Sequence, residues 1–395
     1  MSRARRWAAV AGLCVLPAVS VPAQSLKLSA AKVLLTDEDE SGLTLLQNTR
    51  LAVHESGALA LGATEGWVGV YDPAKQDWRR IGRKGRGPNE YIGPLFVGWL
   101  ADTLWIQDHG TFRVTAIAAR GTSAPKSSSF SFGRLGDFQV VGTRAWLAGG
   151  GALAAMQPIG PASRWSDAVK MQPVIFTDRQ AVRLRDTLFI EDRTNATLWI
   201  SKNDVHLQGR QPFNDGTIMQ VSGNGRFLAR VEQATHARAR RGPLNAIVPA
   251  RLELWEFSSG RRSVRHSTTL SASAPLPKTE FDAWLKEQLR SQREYTGRLQ
   301  MQFTEADYRK ATYIPDSRPQ ASDIVVANDG SILIRQNSYT TNTAAYRWFD
   351  SAGKLRGTFT TPLDQNIRVL QGDRIWSILK RDDDTFAVTM QDIRP

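Results

Sequence analysis

The chain has 395 residues, a net charge of +13 and a single cysteine, Cys14. It is long enough to stabilise itself by core burial. One thiol near the N-terminus excludes a disulfide scaffold and a cysteine-ligated metal. The basic balance favours anionic partners, but no zinc-finger spacing, RNA-binding signature or basic helix accompanies it, so no nucleic-acid partner is expected.

The N-terminus reads "MSRARRWAAVAGLCVLPAVSVPAQS". Arg3, Arg5 and Arg6 form a positive region, an apolar run follows from Trp7 to Ala18, and Val21 and Ala23 are small residues at a cleavage position. Residues 1–23 are therefore expected to be a signal peptide, with a single domain over 24–395 and a periplasmic or secreted location. Cleavage removes Cys14 and three arginines, which takes the charge from +13 to +10. No later segment is apolar enough over a span's length to cross a membrane.

From Leu51 to Arg83 four short runs alternate with turn residues: "LAVHE", "ALALGA", "WVGVYD" and "DWRRIGR". Each has the length and boundaries of a strand. The stretch "RIGRKGRGPNEYIG" (Arg80 to Gly93) follows, with Gly82, Gly85 and Gly87 in the order G-x-x-G-x-G. A dinucleotide fingerprint needs the reverse order before a helix. A P-loop needs Lys-Ser/Thr where Pro88-Asn89 stands. The stretch reads as an irregular turn between two groups of strands.

"DTLWIQD" at Asp102 recurs as "DTLFIED" at Asp186, and looser copies follow the same scheme. Their centres are Ala60, Trp105, Trp146, Phe189, Leu228, Leu333 and Trp376, spaced by 45, 41, 43, 39, 105 and 43 residues. Four antiparallel strands every ~40 residues are the pattern of propeller blades, which bury their faces by stacking around a ring. Seven centres suggest seven blades. Phe189 and Trp199 lie close enough to share one blade, which would leave six. Trp105, Trp146, Trp199 and Trp376 are read as blade-packing residues.

The long gap contains "PLPKTEFDAWLKEQLRSQREYTGRLQ". Phe281, Trp284, Leu285 and Leu289 fall on one helical face, with Thr279 and Asp282 resembling a capping box. A second cap is expected at Thr304 and Asp307. A helical insertion near 278–311, packed on the rim or covering the ring's mouth, is predicted. "THARARRG" at Thr235 reads as a solvated cationic loop.

"IGRKGRGPNEY", then "DTLWIQDHGTFRVTAI", resembles the exported bacterial six-bladed β-propellers related to NHL repeats. "DIVVANDGSILIRQ" and "GDRIWSILKRDDDTFAVTMQDI" resemble that family's last two blades. The resemblance implies an all-β, six-bladed β-propeller of four-stranded antiparallel blades, with seven blades as the alternative. It implies a fold more than an activity.

Under that fold, loops joining second to third strands and loops joining one blade to the next share one face. Arg83, Lys84, Arg86, His109, Asn337 and Tyr339 are thereby candidate ligand-binding residues. The five histidines show no metal-ligand pairing, and no G-x-S-x-G elbow appears. Carboxylate pairs such as Glu38 and Glu40 lie in polar runs. The expected function is recognition of an anionic ligand or protein partner by a monomeric propeller without a cofactor, a reading expected over catalysis. The alternative is a lactonase-like metal-dependent hydrolase or lyase, with a divalent cation held in the channel by residues such as Asp108, Asp192 and Asn337.

Overall fold

The computed structural model describes residues 24–36, 44–46, 49–62, 66–75, 77–93, 95–108, 110–111, 113–118, 127–131, 134–135, 138–148, 151–158, 171–178, 184–192, 197–202, 205–214, 216–233, 250–258, 261–271, 274–296 and 303–395. The expected signal peptide, the loop at Thr235 to Gly242, Glu38, Glu40 and His109 lie outside the described residues.

Two N-terminal strands, β1 (Lys27–Leu28) and β2 (Lys32–Thr36), precede the first blade. That blade is β3 (Arg50–Val53), β4 (Leu59–Gly62), β5 (Val68–Asp72) and β6 (Asp77–Ile81), in sheet order 3-4-5-6. These are the four runs read from the sequence. The Gly-rich stretch forms a short parallel ladder of β7 (Arg83–Lys84) and β8 (Glu90–Tyr91). A second blade follows: β9 (Leu95–Leu100), β10 (Thr103–Asp108), β11 (Arg113–Ala118) and β12 (Ser127–Ser131).

The rhythm then changes. β13 (Arg134–Leu135), β14 (Phe138–Trp146), β15 (Gly151–Pro158), β16 (Met171–Asp178) and β17 (Leu184–Asp192) form one five-stranded sheet. β18 (Thr197–Lys202) and β19 (Val205–Arg210) form a separate two-stranded ladder. Regular blades resume with β20 (Ile218–Val221), β21 (Phe227–Glu232), β22 (Arg251–Ser258) and β23 (Arg261–Thr269). The next is β24 (Asp323–Val326), β25 (Ile332–Ser338), β26 (Thr343–Phe349) and β27 (Leu355–Pro362). The last has β28 (Asn366–Gln371), β29 (Arg374–Lys380) and β30 (Phe386–Arg394), and both β1 and β2 pair with β30. The two ends of the chain thus share one sheet.

The architecture is an all-β propeller, but the expected blade count needs correction. The described residues show five regular blades, rather than six or seven, and the five-stranded sheet β13–β17 interrupts their series. Trp146 and Phe189, taken as centres of two blades, lie on β14 and β17 of that single sheet. Phe189 therefore shares a sheet with Trp146 and not with Trp199, which is on β18. The physical reason is strand length. Strands of eight or nine residues in β14–β17 stretch one sheet over the chain length that two repeats would occupy.

Apolar layers between neighbouring sheets hold the ring. Leu51, Leu59 and Leu61 meet Trp376 and Val388 of the last blade. Ala60, Val68 and Val70 meet Val97, Leu104 and Ile106 of the second. Trp105 packs with Ala152 of β15, and Leu153 of β15 packs with Leu228 and Phe257. The same logic joins Leu252 and Leu254 to Ile324 and Ile332, and Leu333 and Tyr346 to Ile367 and Ile375. Each such side chain contributes about 1.5–3 kcal/mol when fully buried, so the stacked faces are the main source of stability.

Two helices interrupt the strands, α1 (Lys278–Thr296) and α2 (Glu305–Ala311), within the expected insertion. Phe281, Trp284 and Leu285 are buried as the helical spacing requires, against Leu198, Ile200, Phe213 and Tyr308. The insertion thus packs on the β18–β19 ladder. Thr304 and Asp307 form the expected capping box. Thr279 is not a cap, because α1 already begins at Lys278.

Candidate functional site

The Gly-rich turn is built from the inside. Gly82 has φ +82°, and a Cβ there would come within 2.4 Å of the Tyr91 ring. Only glycine fits both demands. Asn89 takes φ +57° just before Glu90, a conformation asparagine tolerates better than most residues. Glu90 accepts hydrogen bonds from Arg83 Nε at 2.8 Å and the Gly87 amide at 2.7 Å, and pairs with the second Arg83 nitrogen at 2.7 Å. The Gly87 amide first, then Arg83, hold its carboxyl below the usual range.

The second blade clamps this turn. Asp108 is fully buried and accepts from the amides of Ile92 and Gly93 at 3.0 Å, the Gly110 amide at 2.9 Å and the Thr111 hydroxyl at 2.7 Å. Arg113 donates to the carbonyls of Gly87 and Glu90. The β10–β11 turn and the inter-blade turn therefore form one platform, as expected from the topology. Of the candidate residues here, Arg83 is engaged by Glu90. Lys84 and Arg86 are exposed, and neither forms a salt bridge with a described residue.

Asn337 and Tyr339 lie at a second platform. Asn337 accepts from Arg335 Nε at 2.7 Å. The Tyr339 ring meets Phe213 edge-on at 5.6 Å, within the apolar cluster of the insertion. Glu280, on the first turn of α1, is buried and ties the insertion to this loop. It accepts from Arg318 at 2.5 Å, the Ser338 hydroxyl at 2.9 Å, the Tyr339 amide at 2.6 Å and the Thr340 hydroxyl at 2.8 Å. Burial alone would raise its pKa, but the Thr340, Ser338, Tyr339 and Arg318 donors outweigh it and the net shift is downward.

Beside this loop the innermost strands bring together four charges that sequence reasoning missed. Arg335 lies opposite Asp323 in the β24–β25 register. It also donates to Asn366 Oδ1 at 3.0 Å and the Leu363 carbonyl at 2.7 Å, which fastens it to β28. Arg368 is two residues further along β28 and lies in the field of Arg50, Asp323 and Arg335. Arg50, the first residue of β3, rests its guanidinium 4.3 Å from the centre of the Phe96 ring on β9. Burial first, then repulsion by Arg50, brings the Arg368 pKa down to about 10. Burial likewise lowers Arg50, against the pull of Asp323. Both remain charged at neutral pH. The signal available in sequence was a lone arginine in or beside each apolar strand run, "TRLAV", "LIRQN" and "NIRVL".

Two of the three residues named for a metal are already engaged by protein groups. Asp108 is saturated by its own turn, Asn337 is engaged by Arg335, and the side chain of Asp192 lies outside the described residues. Among the described residues no group of three or more His, Cys, Asp or Glu side chains has the arrangement of a metal site.

No family model matches the chain, and no curated protein matches it. Solved structures do. A candidate exported protein of Bacteroides fragilis aligns over 93% of this chain and 95% of its own, at 11% identity and a TM-score of 0.47. The WD40 repeats of RRP9 align over 93% of this chain and all of theirs, at 11% identity and a TM-score of 0.46. Among the described residues no helix is long and apolar enough to cross a membrane. The sheet order and the packed blade faces establish the chain as a β-propeller, and the narrower kinship with NHL-repeat proteins finds no support in these matches.

Proposed function

We propose that the chain is an exported propeller that recognises an anionic ligand or protein partner on the face carrying the Gly-rich turn and the β25–β26 loop. One observation carries this reading. On that face the loops are locked by Asp108, Arg113 and Glu280, while Lys84 and Arg86 stay exposed and free of salt bridges to described residues. A rigid platform with unneutralised cations suits electrostatic recognition, because no ordering cost is added on binding. The reading is non-catalytic and needs no cofactor. The lactonase-like alternative draws no support from the described carboxylates, which do not gather into a ligand set.

The test compares two variants of equal charge change. Lys84→Glu/Arg86→Glu reverses the face, and Arg262→Glu/Lys354→Glu reverses exposed cations elsewhere. On immobilised polyglutamate, the face variant is expected to elute at clearly lower salt than the control variant. Equal elution of the two would overturn the reading, since it would make retention a matter of net charge alone.

A further inference from the structure

Turns that join first to second strands lie on the face opposite the Gly-rich turn, and those of three neighbouring blades meet beside the first blade. On the β3–β4 turn, Ser56 Oγ lies 2.8 Å from His54 Nδ1. From the β9–β10 turn of the second blade, Asp102 brings a carboxylate oxygen to 3.3 Å from His54 Nε2. The Ser56 amide donates to the same Nδ1 at 3.1 Å. Nδ1 therefore holds the lone pair, and the ring proton sits on Nε2, facing Asp102. The Trp99 ring meets the imidazole edge-on at 5.0 Å and fixes its plane. The turn itself does not require an imidazole. Other hairpin turns meet the same amide with a carboxylate: Asp329 for Ser331, Asp350 for Ala352 and Asp383 for Thr385. Ser56 is exposed and lines a cavity of about 340 Å³, whose other wall is the β28–β29 turn of the last blade with Asp373 and Arg374. Asp392 anchors Arg374 there through Nε at 3.0 Å.

We propose that Ser56 and His54 are the nucleophile and general base of an acyl-transfer site for small neutral carboxylic esters, with Asp102 as the positioning carboxylate. The hydrogen-bond order is that of a serine triad, built on two hairpin turns rather than on a strand-to-helix elbow. Ser56 Oγ attacks the ester carbonyl carbon while its proton passes to His54 Nδ1. The tetrahedral adduct expels the alcohol oxygen, which takes up that proton and leaves an acyl-serine. Water then attacks the acyl carbon and gives a proton to Nδ1. The Ser56 oxygen recovers that proton as the carboxylic acid departs. Asp102 holds the ring in the required tautomer and stabilises the imidazolium. Arg374, on the facing wall, offers positive charge to the developing oxyanion. Glu55 and Asp373 also line the cavity and outnumber Arg374, which disfavours an anionic substrate. The site lies on the other face from Lys84 and Arg86, so it goes beyond the binding reading and does not rest on it.

Para-nitrophenyl acetate serves as the substrate probe and diethyl para-nitrophenyl phosphate as the covalent probe, both with the full chain. The phosphate ester is expected to leave its diethylphosphoryl group on Ser56, read by peptide mass spectrometry, and the acetate to be turned over. His54→Asn keeps an acceptor for the Ser56 amide, as Asn224 does for the Arg226 amide. It should slow both reactions by about 100-fold or more with unchanged thermal unfolding. Asp102→Asn should lower kcat for the acetate and leave KM as it is. If His54→Asn fails to fold, Ser56→Ala keeps the test, because the Ser56 hydroxyl contributes only its contact with His54, and label and turnover should both be lost. Absence of label on Ser56, or equal labelling of the parent and His54→Asn, would overturn the proposal. Lys84→Glu/Arg86→Glu should react as the parent does, so this result and retention on polyglutamate fail or survive separately.

Discussion

Two cationic regions lie on one face and use their charge in opposite ways. The Gly-rich turn has the denser sequence, with Arg80, Arg83, Lys84 and Arg86 within seven residues. Arg83 is consumed by Glu90, and the turn is fixed by Asp108 and Arg113 from the next blade. The ring mouth has no dense stretch at all. Its arginines stand at positions 50, 335 and 368, and ring closure alone brings them together. Charge density along a chain is therefore a poor guide to where the fold gathers charge. What counts is where the fold places each charge and which groups it sets beside it.

The comparison is broken most forcefully at Asp108. Its carboxylate serves three amides and a hydroxyl in a site with no solvent access. Asp108→Ala leaves those donors unsatisfied, and the expected loss is about 3 kcal/mol in urea unfolding. Amide exchange of Ile92 and Gly93 should accelerate with it. If stability falls by less than about 1 kcal/mol, the turn is not held from the second blade through Asp108.

Much of this region was legible in advance. The strand runs of the first blade, the turn character of the Gly-rich stretch, the apolar face of α1 and the capping box at Thr304 all depend on short-range chemistry. Periodicity, glycine placement and caps record such chemistry directly. Two features were not legible. The sheet β13–β17 keeps the 43-residue spacing between Trp146 and Phe189 while placing both in one sheet, so a count of centres overstates the blades. The mouth cluster sets Arg50 in the field of Arg368, more than 300 residues further along the chain. A lone arginine beside an apolar run looks the same whether it reaches bulk solvent or a ring's axis.

The second platform can be sharpened at Glu280, where a buried carboxylate ties the helical insertion to the β25–β26 loop. Glu280→Gln retains the shape but removes the charge facing Arg318. A loss of about 2 kcal/mol is expected. The pH dependence has a definite sign. The folded pKa of Glu280 lies below its ordinary value of 4.5, so its contribution is complete above that value and is lost as pH falls through the folded pKa. The gap in stability between parent and variant should therefore be full at pH 6 and should narrow below about pH 4. A gap that is constant across this range would mean that the carboxylate's charge is not what holds the insertion.

The smallest expected effect has the opposite sign and separates the two regions most clearly. Arg368 is crowded by Arg50 and Arg335, and burial first and then that crowding bring its folded pKa down to about 10, below the ordinary guanidinium range. A cation whose pKa is lowered by folding favours the unfolded state over the whole range below that pKa, neutral pH included. Arg368→Met keeps the apolar stem's volume and removes the repulsion, so it should raise stability by about 1 kcal/mol. The Gly-rich turn predicts no such gain for Arg83→Met, because that substitution strands Glu90 without its partner. A stabilised Arg368→Met would show that the mouth keeps this charge at the expense of the fold. A destabilised one would mean that Arg368 is a structural residue, and the distinction between the two regions would collapse.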